Sequence, residues 1–184
     1  MSTAVYIGAG LDTRPIVALK NIQTFVCIDS KGDTPFIQEL VYKMECIGMF
    51  TDFASDPGCF SKRLKKSTCI IFKQKNGRCV YYYVNTTFPI EVDKNLLDCD
   101  NLIISGYTPH RCILDFMKKP LNLHLFEGTD NEEGTVTNHI IAVGFAQARI
   151  RECRVYHEEY RSHTVGTIME ANNESLSRFF ERMG

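Results

Sequence analysis

The chain has 184 residues, of which 44% are hydrophobic and 23% charged, and a net charge of -1. That length and balance suit one globular domain with a sizeable core, and so neutral a surface argues against extensive nucleic-acid binding, because it sets up no overall field for phosphates. No apolar run approaches the roughly 20 residues that span a bilayer, and Asp12 and Arg14 break the first apolar stretch too early for a secretory signal, so no membrane partner and a cytoplasmic setting are expected.

In chain order, Val5 to Ile7 reads as a first strand, ending at Gly8-Ala9-Gly10. Thr13 to Leu19 is a short helix candidate that admits Pro15 only in its first turn. Thr24 to Asp29 is a second apolar run, and it closes on an acid. Thr34 is placed to cap the next helix, with Pro35 at its first position. Phe36, Leu40, Met44 and Ile47 then recur at helical spacing, and Gly48 stops it. Thr68 to Phe72 and Cys79 to Val84 are two β-rich runs around Asn76-Gly77, a pair that predicts a type I′ hairpin. Strand alternation puts Tyr81 and Tyr83 on one face and Tyr82 on the other, as sheet packing.

Asn101 to Ser105 reads as a buried strand ending at Gly106. Pro109 to Lys119 has helical spacing, and Leu121 to Phe126 is again a strand. The stretch from Thr135 to Ala171 is rich in β-formers, around His139–Val143, Cys153–Tyr156 and His163–Met169. Glu174 to Met183 carries Leu176, Phe179 and Phe180 on one helical face. The predicted architecture is α/β and Rossmann-like, a mostly parallel sheet with helices on both faces and antiparallel strands near the C-terminus. No linker or repeat interrupts it, so residues 1–184 are expected to form a single domain.

The eight cysteines are scattered, with no Cys-x-x-Cys. Several lie inside apolar runs, so most read as small buried hydrophobes in a reducing compartment. The five histidines form no His-Glu-x-x-His pattern, and no metal site is expected.

The chemistry concentrates at the first turn. Glycine lets the backbone turn tightly and approach a ligand without a Cβ. Gly8 and Gly10 followed by Asp29, 29 − 10 = 19 positions later, match the separation by which Rossmann-like folds hold the ribose end of a nucleotide-like cofactor. A dinucleotide pattern wants a third glycine where this chain has Thr13. A glycine pair at a tight strand–helix turn with no ligand is the plainer alternative.

Tyr6-Ile-Gly-Ala-Gly-Leu-Asp-Thr-Arg14 resembles the first motif of class I methyltransferases that use S-adenosylmethionine (SAM). Gly-Ala-Gly-Leu-Asp-Thr-Arg is similar to the leucine carboxyl methyltransferase group, and Val-Tyr-Ile-Gly to the cap methyltransferases of large DNA viruses. The resemblance implies that Gly8 and Gly10 lie against the methionine part of SAM and that Asp29 bonds the ribose hydroxyls. It also puts Asn101–Tyr107 at a fourth strand whose exit faces the transferred methyl. Tyr107 is then the catalytic candidate, with His110 beside it, to orient a nucleophile or take its proton. The plain alternative is a loop in which Thr108 caps a helix that Pro109 begins. Asp52 and Asp56 are candidates to read adenine. Three functional readings stay open: a methyltransferase with an unidentified acceptor, a degenerate methyltransferase fold serving as a binding or scaffold module, and a Rossmann domain for NAD or ATP. No phosphate-gripping Gly-x-x-x-x-Gly-Lys-Ser/Thr is present.

Basic clusters at Lys62–Lys66 and Arg149–Arg154 read as a solvated helix face and a charge-protected strand edge. Glu127–Asp130 reads as an acidic turn.

Overall fold

A computed structural model describes residues 2–52, 68–86, 99–105, 121–126, 150–158 and 168–170. The chain divides into two compact units, Met1–Lys94 and Asn95–Gly184. The class is α/β and Rossmann-like, with mostly parallel strands.

The first unit runs β1 (Thr3–Ile7), α1 (Arg14–Ala18), β2 (Thr24–Ile28), α2 (Thr34–Cys46), β3 (Phe50–Thr51), β4 (Thr68–Lys73) and β5 (Cys79–Val84). Its strands lie in the order β3-β4-β5-β2-β1. β1 and β2 pair in parallel from Thr3 opposite Thr24 to Ile7 opposite Ile28. β2 and β5 do so from Thr24 opposite Cys79 to Ile28 opposite Tyr83. β1 and β2 are buried at every position but the first. Strands covered on both faces select unbroken apolar runs, which is why these two were readable.

α2 buries Phe36, Ile37, Leu40 and Met44. Its cap is Asp33, in extended conformation, rather than Thr34. The shift of one residue moves Pro35 to the second helical position, which still lacks an intrahelical acceptor for an N–H. The helix ends in a Schellman motif. Gly48, at φ +80°, donates to Glu45 O at 3.0 Å, and Met49 donates to Met44 O at 2.9 Å.

β4 and β5 form the expected antiparallel hairpin, but not through a type I′ turn. That turn needs positive φ at both central residues, and here only Gly77 has it, at +90°. Gly77 N donates to Gln74 O at 3.1 Å and Gln74 N to Arg78 O at 2.9 Å, a three-residue loop with a glycine bulge. Asn76 Oδ1 instead accepts from the Arg78 N–H at 3.2 Å. β3 extends the antiparallel edge beyond β4. Antiparallel pairing therefore occurs in the first half of the chain as well as late.

The second unit runs β6 (Asn101–Ser105), β7 (Leu121–Phe126), β8 (Ile150–Glu158) and β9 (Ile168–Glu170). β6, β7 and β8 are parallel neighbours, and β9 pairs antiparallel with β8. Leu102, Ile104, Leu121 and Leu123 are buried on one face of β6 and β7. The other face carries a buried polar network. His124 Nε2 donates to Asn101 Oδ1 at 3.0 Å, so Nδ1 is left to accept from the Tyr156 hydroxyl at 3.1 Å. Tyr156 stacks on Phe126 with ring centroids 4.3 Å apart. His124→Leu removes both bonds while keeping an apolar volume, and a loss of about 1–2 kcal/mol in urea unfolding is expected. A variant as stable as the parent would show the network to be energetically neutral.

The expected helix at Pro109–Lys119, the tail helix at Glu174–Met183 and the β-run at His139–Val143 lie outside the described residues. Among the described residues no helix is long and apolar enough to cross a membrane.

Candidate functional site

In an open α/β sheet, ligands bind outside the carboxyl ends of the parallel strands. In the first unit three chain segments leave β1, β2 and β5 at that end, and they are bonded to one another. After β1, Gly8 N and Ala9 N both donate to Ile28 O, at 2.9 and 3.3 Å. After β2, Asp29 N donates to Tyr83 O at 2.9 Å, extending the ladder by a residue. After β5, Thr86 N donates back to Asp29 O at 3.2 Å.

Gly8, Gly10 and Asp29 are therefore brought together. Gly8 and Gly10 hold φ of +65° and +52°, the left-handed region in which a side chain costs roughly 1 kcal/mol or more. The Gly10 N–H donates to Asp29 Oδ2 at 2.7 Å, and the Lys31 N–H donates to Asp29 Oδ1 at 2.8 Å. The carboxylate thus joins the glycine turn to the loop after β2. A Cβ on Gly10 would lie 3.9 Å from Asp29 Oδ2, so among the described residues nothing crowds that face of Gly10. Each carboxylate oxygen also keeps a second lone pair for another donor.

The carbonyls of the turn are held from below. The Tyr82 hydroxyl donates to Gly10 O, Lys43 Nζ to Leu11 O at 3.3 Å and the Tyr6 hydroxyl to Asp12 O at 3.0 Å. Tyr6, Cys27 and Tyr82 are register partners across β1, β2 and β5, so they share one face of the sheet. Burial above all, then the charge of neighbouring groups, keeps the Tyr82 phenol protonated well above its ordinary range. A protonated phenol is what donation to a carbonyl requires.

Asp12 takes the Arg14 guanidinium in a two-point pair, at 2.8 Å from Nε and 2.7 Å from Nη2, and also accepts the Arg14 N–H at 3.1 Å. Thr13 caps α1 through its carbonyl, which accepts from Ile16 and Val17. Asn85, at φ +56°, donates from Nδ2 to Gly32 O at 3.3 Å, and a Cβ on Gly32 would meet its carboxamide at 2.7 Å.

Asp52 is not part of this constellation. It sits at the β3–β4 edge, pairs with Lys73 at 2.9 Å and raises the Lys73 ammonium above its usual range. Lys73 is opposite Cys79, the first residue of β5, which is the end of the strands away from Asp29. Asp56, Tyr107 and His110 lie outside the described residues. Among the described residues no group of three His, Cys, Asp or Glu is placed to hold a metal. Tyr6, Tyr82, Lys43 and Asn85 carried no signal as site residues, because their role depends on register and on contacts 32 to 72 positions away for Lys43 and Tyr82.

Burial first, and then the Asp29 charge, pushes the Cys27 thiol far above the ordinary range. The nucleophile in thiol labelling is the thiolate. At pH 8 a thiol reagent is therefore expected to modify the exposed Cys46 in the native protein and to leave Cys27 untouched until unfolding, read by peptide mass spectrometry. Labelling of Cys27 at the rate of Cys46 would contradict the burial of this row.

No protein-family model and no curated protein sequence matches the chain. Among solved structures, similarity extends to the NMR solution structure of ALG13, at 13% identity and a TM-score of 0.47 over 85% of this chain and 78% of that one. The bacillithiol disulfide reductase Bdr (YpdA) from Bacillus cereus gives 9% identity and a TM-score of 0.19 over 100% and 81%. The Staphylococcus aureus enzyme gives 11% and 0.19 over 98% and 80%.

Proposed function

We propose that this chain binds SAM at Gly8, Gly10 and Asp29 and acts as a class I methyltransferase-like protein. The observation that carries the reading is the Asp29 carboxylate, 2.7 Å from the Gly10 N–H at the carboxyl ends of adjacent parallel strands. Its spare lone pairs suit the two hydroxyls of a ribose.

The hydrogen bonds of the turn favour SAM over a dinucleotide. A diphosphate is gripped by N–H groups at a glycine turn and the following helix. Here the N–H groups of Gly8, Ala9 and Gly10 are spent on Ile28 O and Asp29, and that of Arg14 on Asp12. α1 is five residues long and includes Pro15. When bound, SAM supplies an electrophilic methyl group. The chain's contribution is to hold it by its ribose and to align it with an acceptor, which is catalysis by proximity. Tyr107 remains the proposed residue to orient that acceptor or take its proton.

A second reading has its own observation. Both Asp29 oxygens already accept backbone N–H groups, so the acid also serves as a staple between loops, as a non-catalytic module would need. Calorimetric titration of the full chain with SAM, S-adenosylhomocysteine, NAD and ATP separates the readings. Binding of the first two, at least tenfold tighter than NAD and ATP, is expected. Absence of heat with millimolar SAM and S-adenosylhomocysteine would sink the cofactor site. Binding with no methyl transfer to pooled acceptors would favour the non-catalytic module.

A further inference from the structure

Three consecutive carbonyls of the turn, those of Gly10, Leu11 and Asp12, accept from side chains on three different elements, Tyr82 on β5, Lys43 on α2 and Tyr6 on β1. In the three preceding peptide groups, the N–H groups of Gly8, Ala9 and Gly10 are bonded to the β2 end. The turn is thus fixed at both its donors and its acceptors. A glycine-containing segment held at positive φ has many alternative conformations, and a ligand that needs one of them must otherwise supply the ordering free energy itself.

We infer that Tyr82 and Tyr6 are positioning residues, whose hydroxyls pre-set the Gly8–Asp12 turn so that Gly10 and Asp29 meet a ligand in one geometry; this rests on the ligand site proposed above. Two features separate them from ordinary core tyrosines. Tyr6 is the penultimate residue of β1 and Tyr82 the third from last of β5, in one cross-strand row with Cys27, and both hydroxyls reach carbonyls of the turn beyond the end of β1. Tyr6 and Tyr82 are also buried to 0% and 2% exposure, which shields the two hydrogen bonds from competition by water and strengthens them. Lys43 adds a third bond from the helix side. Phenylalanine at either tyrosine position would keep the ring packing and remove the hydroxyl that donates to the turn.

The test uses the full chain carrying Tyr82→Phe, Tyr6→Phe or both. The Gly10 amide is read by hydrogen exchange, with the β2 amides of Val26 and Cys27 as internal references. S-adenosylhomocysteine affinity is read by calorimetry. Tyr82→Phe is expected to speed Gly10 exchange at least tenfold with the β2 amides unchanged, and to weaken the ligand at least tenfold, with the double variant weaker still. A merely structural tyrosine would instead speed all these amides together. That pattern, or affinity held within twofold, would overturn the inference. Should the parent chain bind no ligand, the binding reading falls by itself, and the exchange pattern alone decides whether the hydroxyls hold the turn.

Discussion

Arg78→Ala is expected to cost roughly 3–5 kcal/mol of stability, read from the midpoint of urea unfolding at unchanged slope. Arg78 starts β5's side of the hairpin, yet only 8% of it is exposed. Its Nε donates to Ile22 O at 3.0 Å, and Nη2 donates to Ile16 O at 2.9 Å and Leu19 O at 3.1 Å. Ile16 and Leu19 lie at the end of α1, where helical carbonyls lose their intrahelical donors. The guanidinium also lies over the Phe25 ring, 5.2 Å from its centroid. Burial pulls the Arg78 pKa down, but a guanidinium stays charged, so its donors are charge-assisted and stronger than neutral ones. Alanine leaves three carbonyls without these donors and opens a cavity over Phe25. Arg78→Met fills the volume without restoring a donor and is expected to recover only the packing share. Arg78→Lys offers a compact ammonium instead of a planar fork, so it should fall between the parent and methionine. An alanine variant within 1 kcal/mol of the parent would show that water replaces the guanidinium at these carbonyls.

The same residue shows what sequence reading reaches and where it stops. β1, α1, β2, α2 and the β4–β5 hairpin were legible because each is encoded locally, in an unbroken apolar run, a 3.6-residue spacing or a glycine turn. The local errors are equally physical. Proline is tolerated throughout the first helical turn, so Pro35 did not distinguish a cap at Thr34 from one at Asp33. Asn-Gly pairs serve both two-residue turns and three-residue loops with a bulge, and only the observed φ of Gly77 separates them. β3 is two residues long, too short for any periodicity. β8 spans nine residues, but Arg151, Glu152 and Arg154 interrupt its apolar pattern, so only Cys153–Tyr156 stood out. At the site, Gly8, Gly10 and Asp29 were legible because the ends of adjacent parallel strands bring them together whatever the register of the rest. Arg78 reaching Ile16 across 62 positions and Tyr82 reaching Gly10 across 72 depend on which strand β5 joins. The sequence suggested a hairpin there, but not that its second strand would be the parallel neighbour of β2.

Asp29→Ala is expected to weaken SAM and S-adenosylhomocysteine at least 100-fold, about 2.7 kcal/mol of binding free energy. Two effects add. The carboxylate supplies the acceptors proposed for the ribose hydroxyls, and it also holds Gly10 and Lys31 through their N–H groups. Loss of the second role alone is expected to lower stability by about 1–3 kcal/mol. Asp29→Asn separates the two. Its single carboxamide oxygen can accept from the Gly10 or the Lys31 N–H, while its NH2 group confronts the other N–H, donor against donor. Its stability should therefore lie between the parent and alanine. Its affinity should fall nearly as far as that of alanine, because a neutral amide with one engaged acceptor serves a diol poorly. Parent-like affinity in both variants would leave Asp29 as a staple between loops and remove the ribose from this site. Affinity that falls only in proportion to stability would place the effect in the turn rather than in the ligand contact. A steep loss of affinity in Asp29→Asn at modest cost in stability is the pattern that a ribose-binding acid produces and a staple does not.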